Sequence, residues 1–185
     1  MYILASESPR RKELLSKIVS EFKIIPSTID ESKINTESYH VKDIPEFLST
    51  KKALDVFESF PDDIIIAADT AIIFDNKIYG KPKDQNDARS MLKAFSNNTH
   101  QVITGVCIIS KEKSLSFSSI NEVTFYNLSE KDIDEYLSLN EYKDKAGSYA
   151  IQGRGTLLIK HISGDYNSII GLPIGEIKRL LEKFF

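Results

Sequence analysis

Apolar runs and helical repeats alternate along this chain of 185 residues. Residues 2–5 form a short apolar run that predicts a buried strand, and Ser8-Pro9 then offers an N-cap hydroxyl and a first-turn proline. Leu14, Leu15 and Ile18 follow on one helical face. Residues 22–25 predict a second strand, closed by Pro26. Phe47, Leu54 and Phe57 recur at helical spacing and predict a helix over 46–58.

Residues 64–68 are apolar without alternation, the pattern of a central strand covered on both faces. Residues 71–74 resume the strand and Asp75-Asn76 turns it. Asp84 caps a helix lined by Ala88, Met91, Leu92 and Phe95. Segments near 100–109 and 115–126 predict an antiparallel pair. Ser129 with Asp132 resembles a capping box and opens a helix carrying Ile133, Tyr136 and Leu137. A strand near 156–162 comes next. Pro173 then starts a last helix that turns Ile174, Ile177, Leu180, Leu181 and Phe184 inward. Interleaved strands and helices predict an α/β fold with a mixed sheet. No linker, repeat or low-complexity tract divides the chain, so residues 1–185 are expected to form a single domain.

Composition narrows the function. Lys plus Arg is 24 against 27 for Asp plus Glu, a net charge of −3. That balance argues against a nucleic-acid binder working through bulk positive charge. Cys107 is the lone cysteine, which excludes an internal disulfide and multi-cysteine zinc sites and suits a reducing cytoplasm. No run approaches a membrane span or a signal-peptide core. His40, His100 and His161 lack metal-ligand spacing. No Walker A loop, nucleophile elbow or dinucleotide fingerprint occurs.

The unusual residues lie at element junctions. Ser6-Glu7-Ser8-Pro9-Arg10-Arg11-Lys12 joins a strand to a helix N-terminus, where cations are unfavourable against the helix dipole. A phosphate cradled by Ser6, Ser8 and the arginines would reverse that penalty; the alternative is a surface turn with solvated arginines. Ala68-Asp69-Thr70 places an acid at the end of the most apolar strand, where it could bind a divalent metal or activate water, or merely cap a turn. Gly80-Lys81-Pro82 aims one lysine from a stiff loop. Asp30-Glu31 supplies a second acid, solvated unless it faces Asp69 to complete a carboxylate pair for Mg²⁺. Lys51-Lys52 lies mid-helix, where a solvated face is the ordinary reading. Within residues 144–153, Gln152 offers a donor and an acceptor that suit the edge of a pyrimidine; a structural loop around a buried Tyr149 is the alternative.

In this order the motifs resemble the Maf family of nucleotide pyrophosphatases, once called septum-formation proteins. The matching residues are Leu4-Ala5-Ser6-Glu7-Ser8-Pro9-Arg10-Arg11, Lys52-Ala53, Ala68-Asp69-Thr70 and Gly80-Lys81-Pro82. His100-Gln101-Val102, Thr104-Gly105-Val106, Asp144-Lys145-Ala146-Gly147 and Ile151-Gln152-Gly153 match as well. Gly164-Asp165-Tyr166 and Gly171-Leu172-Pro173 complete the set, so the resemblance covers nearly the whole chain.

The resemblance implies a cytoplasmic enzyme that hydrolyses nucleoside triphosphates to the monophosphate and pyrophosphate. It implies an elongated mixed β-sheet flanked by helices with a deep central cleft, similar to inosine triphosphate pyrophosphatase, and a divalent metal, Mg²⁺ or Mn²⁺. Ala-Asp-Thr at 68–70 with Ile-Gln-Gly at 151–153 looks like the branch acting on dTTP and UTP. Carried over by motif, Asp69 accepts the proton, and Arg10, Thr70 and Gln152 set substrate choice. Joining this to the residue chemistry gives Arg10, Arg11, Lys52 and Lys81 as phosphate clamps, with Asp69 and Glu31 holding metal or water. The expected partner is a small nucleotide, with neither nucleic acid nor membrane, and a homodimer is compatible. A nucleotide-sensing regulator of cell division and a purine-directed housekeeping pyrophosphatase are the rival readings. Two positions depart from the family pattern: Lys51 stands where members often carry glutamate, and the turn at 96–99 lacks the usual glycine.

Overall fold

The protein is described by a computed structural model covering residues 1–184. In chain order the elements are β1 (Tyr2–Leu4), α1 (Pro9–Leu15), β2 (Phe22–Ile24), α2 (Ile44–Ser59), β3 (Ile64–Phe74), β4 (Lys77–Tyr79), α3 (Gln85–Phe95), β5 (Thr99–Ile109), β6 (Ser114–Phe125), α4 (Glu130–Ser138), β7 (Ile159–Ser163), α5 (Tyr166–Ile170) and α6 (Ile174–Phe184). Single 3₁₀ segments cover Glu31–Lys33, Ala146–Ser148 and Gly153–Leu158. The seven strands hydrogen-bond in the order β2-β1-β3-β5-β6-β7, with β4 beside β3. β1 runs parallel to β2 and β3, while β4 is antiparallel to β3 and β7 to β6, so the sheet is mixed as predicted.

The chain groups into two compact units. The first comprises Met1–Thr70, Ile103–Ser119 and the segment from Asp165 on. Its strands bury side chains on both faces. Leu4, Ile66, Ala68, Val106 and Ile108 point to one side, against Leu14 and Leu15 of α1 and Ile177 and Leu181 of α6. Ile3, Ile65, Ala67, Cys107 and Ile109 point to the other, against Ala53 and Val56 of α2. The period of two is present, but both phases are apolar, which accounts for the unbroken run at 64–68.

α2 forms where the helical spacing predicts it, and of its periodic residues Phe57 packs on the core while Leu54 does not. The residues it buries are Pro45, Leu48, Ser49, Ala53 and Val56, whereas Leu54 is 41% exposed. Small residues let the helix axis approach strands already filled with isoleucine. Gly105 on β5 allows the same approach at the helix start, because a Cβ there would collide with the backbone of Pro45 and Glu46. Glu46 then accepts hydrogen bonds from Ser116 Oγ at 2.7 Å and Ser118 Oγ at 2.9 Å on β6.

The second unit comprises Ala71–Val102 and Ile120–Gly164. Asp75 and Asn76, at φ 49° and 56°, make the left-handed two-residue turn into β4. The capping box at Ser129 and Asp132 forms as the sequence predicts. The strand expected at 156–162 begins only at Ile159. The residues before it coil into a 3₁₀ segment, because Gly153 takes φ 70° and Gly155 packs directly on the Ala150 carbonyl.

The core of this unit is aromatic. Phe95 and Phe125 are fully buried, and His100, 1% exposed, packs between them with ring centroids 4.4 and 5.1 Å away. Burial holds the His100 imidazole neutral and lowers its pKa to about 3. The unfolded chain takes up a proton near pH 6.5 that the folded chain refuses until about pH 3. This contribution is therefore complete above pH 6.5 and shrinks as the pH falls through that window. Urea denaturation at pH 7 and pH 5 should show the wild type losing about 2 kcal/mol more than His100→Gln. Equal losses would mean that His100 is not held neutral by the fold.

Candidate active site

The strand that carries the conspicuous acid is longer than its apolar run suggests. Asp69 lies in the middle of β3 and not at its end, because Thr70 to Phe74 continue the strand. Its parallel neighbour β1 stops earlier, with Leu4 opposite Ile66 and the Ala5 N–H bonded to the Ile66 carbonyl. Asp69 therefore stands beyond the carboxyl end of β1, where α/β sheets leave room for ligands.

An acid beside so much apolar surface needs a partner. Lys52 Nζ lies 2.6 Å from Asp69 Oδ1 and 2.9 Å from Glu31 Oε1. The lysine side chain is 12% exposed and that of Asp69 16%, while Glu31 is half exposed. One ammonium is thus shared by both acids. Lys52 is not a solvated helix residue.

α2 builds both halves of this arrangement. One turn after Lys52, Asp55 accepts from the Ser27 hydroxyl at 2.9 Å and the Thr28 N–H at 2.7 Å. Asp55 thereby pins the segment leading into Glu31, a role the sequence analysis missed. Its legible signal was an acid three residues after the lysine, hence on the same helical face.

The donor set can be compared with the metal that the resemblance implies. Asp69 and Glu31 supply hard carboxylate oxygens held close to one cation, which fits Mg²⁺ or Mn²⁺. Among the described residues no group of three or more His, Cys, Asp or Glu could hold an ion. The remaining ligands would have to be phosphate oxygens and waters, the usual habit of Mg²⁺.

The serine-arginine segment separates into two behaviours. Ser8 caps α1 by accepting from the Arg11 N–H, and the Ser6 hydroxyl accepts from the Ser8 N–H at 3.2 Å. Arg11 folds inward. Its Nε donates to the Gly171 carbonyl at 2.9 Å, Nη1 to Ser6 Oγ at 3.3 Å and Nη2 to Thr70 Oγ1 at 3.2 Å. Burial lowers the Arg11 pKa, opposed by the attraction of Asp69. The side chain of Arg10, next in sequence, has no hydrogen-bond or ion-pair partner among the described residues.

Thr70 is equally committed. Its hydroxyl lies 2.8 Å from Thr104 Oγ1, which donates its one proton to the Ser168 carbonyl at 2.9 Å. Thr70 must therefore be the donor to Thr104 and the acceptor from Arg11. The order is Arg11 to Thr70 to Thr104 to Ser168. Thr104 is fully buried, and nothing in its strand sequence marks it for a role.

In the second unit, Lys81 and Gln152 are exposed and have no partner among the described residues. The Gly147 N–H donates to the Gly80 carbonyl at 3.0 Å, tying the 144–153 segment to the turn that carries Lys81.

Comparison with known proteins agrees with this architecture. A family model described as Maf-like protein matches residues 1–184. A dTTP/UTP pyrophosphatase of Bacillus cytotoxicus is 45% identical, over 99% of this chain and 95% of its own. That of Pyrococcus furiosus is 47% identical, over 97% of this chain and 93% of its own. Among solved structures, the Staphylococcus aureus Ham1 protein superposes with a TM-score of 0.55 at 12% identity, over 98% of this chain and 97% of its own. A HAM1 protein from Coxiella burnetii gives the same score and identity, over 98% of both chains. At that identity the likeness is one of fold.

The Thr70–Thr104 relay has a direct test. Thr104→Val keeps the shape but leaves the Thr70 proton and the Ser168 carbonyl without each other's chain. Urea unfolding should show a loss of about 1–3 kcal/mol. Unchanged stability would mean that the relay contributes nothing.

Proposed function

Because the chain belongs to the Maf-like protein family, we propose that it hydrolyses nucleoside triphosphates, dTTP and UTP foremost, to the monophosphate and pyrophosphate. The observation that carries this reading is the 45–47% identity, over nearly the full length, to relatives named dTTP/UTP pyrophosphatases. The acid-lysine-acid arrangement at Asp69, Lys52 and Glu31 supports it with the groups such a reaction needs.

In the proposed reaction a water oxygen bonds to the α-phosphorus and the bond from that phosphorus to the bridging β-oxygen breaks. Asp69 accepts the proton released by the attacking water. Glu31 helps to orient that water. Lys52 holds both carboxylates in place and offers its charge to the polyphosphate. Arg10 and Lys81, cations whose side chains have no partner among the described residues, take up further phosphate charge. Arg11 acts from within, because its guanidinium keeps Ser6, Thr70 and the Gly171 turn in register. A divalent cation held by Asp69 and Glu31 would neutralise developing charge on the phosphates. Gln152 pairs with the donor and acceptor edge of the pyrimidine, and Thr70 supports substrate choice through its hold on Arg11.

No helix among the described residues is long and apolar enough to cross a membrane. We place the enzyme in the cytosol as one catalytic domain, acting on free nucleotides and not on nucleic acid; a homodimer is compatible with this reading.

Asp69→Asn should lower dTTP turnover by about 10²–10⁴-fold in a pyrophosphate-release assay with Mg²⁺ or Mn²⁺, while nucleotide binding largely survives. Near wild-type turnover would remove Asp69 as the proton acceptor. A panel of dTTP, UTP, dATP, inosine and xanthosine triphosphates sets the substrate class: preference for the last two would favour the purine-directed reading, and no turnover of any would favour a sensor.

Gln152→Glu should cut kcat/KM for dTTP roughly tenfold or more, with the melting temperature nearly unchanged. Unaltered selectivity would take Gln152 out of substrate recognition.

A further inference from the structure

His100 is buried with no part in the proposed chemistry, yet its polar contact is specific. Nε2 lies 2.6 Å from the Tyr149 hydroxyl, and both residues are almost wholly enclosed. Nδ1 has no partner among the described residues. A buried polar pair that leaves one nitrogen unsatisfied is costly beside an apolar alternative. Phenylalanine would fill the same aromatic space, since Tyr149 packs edge-on against Phe125 at 4.8 Å and His100 at 5.4 Å.

The segment held by this pair is strained. Asp144 and Ser148 take φ 58° and 66°, left-handed for residues with a Cβ, beside Gly147 and Gly153, which take 65° and 70° freely. Ser148 is a buried residue in the left-handed region, and its hydroxyl reaches the Met91 sulfur at 3.1 Å. Such conformations persist only where surrounding contacts over-determine them, and they collect at functional sites. Beyond Tyr149 the chain alternates: Ile151 turns inward and Gln152 outward, with no partner of its own among the described residues.

We propose that the His100–Tyr149 hydrogen bond is a positioning device for nucleobase selection, fixing the strained 144–153 segment so that Gln152 is presented in one orientation. This rests on the reading of Gln152 as the residue that meets the base. His100 and Tyr149 touch no substrate. They act through the backbone that links Tyr149 to Gln152. Their loss should therefore alter which nucleotide is used before it alters how fast a saturating nucleotide reacts.

The test measures kcat and KM for dTTP and dATP in the wild type and in Tyr149→Phe, His100→Gln, His100→Leu, Gln152→Ala and Tyr149→Phe combined with Gln152→Ala. Tyr149→Phe should lower the preference for dTTP about tenfold, through KM, with kcat within about twofold. His100→Gln should retain most of the preference, because its amide nitrogen can donate to the Tyr149 oxygen from nearly the place of Nε2, whereas His100→Leu should lose it. In the Gln152→Ala background the Tyr149 change should have little further effect, as for residues acting through one another.

A Tyr149→Phe enzyme with lowered melting temperature but unchanged preference would overturn the proposal and leave the pair as packing. Should Tyr149→Phe not fold, equal preference in His100→Gln and His100→Leu overturns it as well. A wild type without dTTP turnover, or a Gln152→Ala enzyme that keeps its preference, removes the functional reading beneath it too.

Discussion

A carboxylate set inside an apolar strand must be neutralised, and the first unit is arranged around that requirement. Asp69 interrupts a run of buried isoleucine and alanine, and Lys52 answers it from α2 at 2.6 Å. The lysine can do so only if the helix lies close to the sheet. Gly105 permits the approach, Ala53 and Ser49 keep the facing surface thin, and Glu46 ties the helix start to Ser116 and Ser118. Asp55 extends the same helix to the segment before Glu31. One helix thereby sets the spacing of the two acids that the proposed hydrolysis uses.

Neighbouring arginines show how position divides one chemistry into two roles. Arg11 spends its guanidinium on Gly171, Ser6 and Thr70, all uncharged acceptors, and becomes part of the frame. Arg10 keeps its charge uncommitted among the described residues. Three of the five N–H donors of Arg11 are used in the frame, so it can offer a polyanion two without breaking those bonds, whereas Arg10 can offer all five. The net charge of −3 hides this distinction, since it averages over groups with opposite assignments.

Asp69 and the serine-arginine turn were legible because their residue types are expensive where they occur, whereas Lys52 read as an ordinary solvated helix residue. An acid in an apolar run and cations at a helix start both demand an explanation. Thr104, Asp55 and Ser168 carried no such mark. A threonine in a strand and an aspartate on a helix are ordinary, and their importance comes from partners 64 and 28 residues away. Within α2 the period marks Phe57, which packs on the core, but not the exposure of Leu54: Ala53 and Val56 take the places against the isoleucine-filled strands, a choice made by the neighbouring sheet.

By itself the sequence determined the alternation of strands and helices, the caps at Ser8, Asp84 and Ser129, and the family to which the chain belongs. These depend on local backbone preference and on residue order, both of which the chain carries whether folded or not. Tertiary structure decided the rest. It placed Asp69 within β3 and beyond β1, gave Lys52 two carboxylates, turned Arg11 inward and set the proton order from Arg11 through Thr70 and Thr104 to Ser168. Each of these is a matter of distance between residues far apart in the chain, and such distances exist only once the sheet has fixed which strands are neighbours.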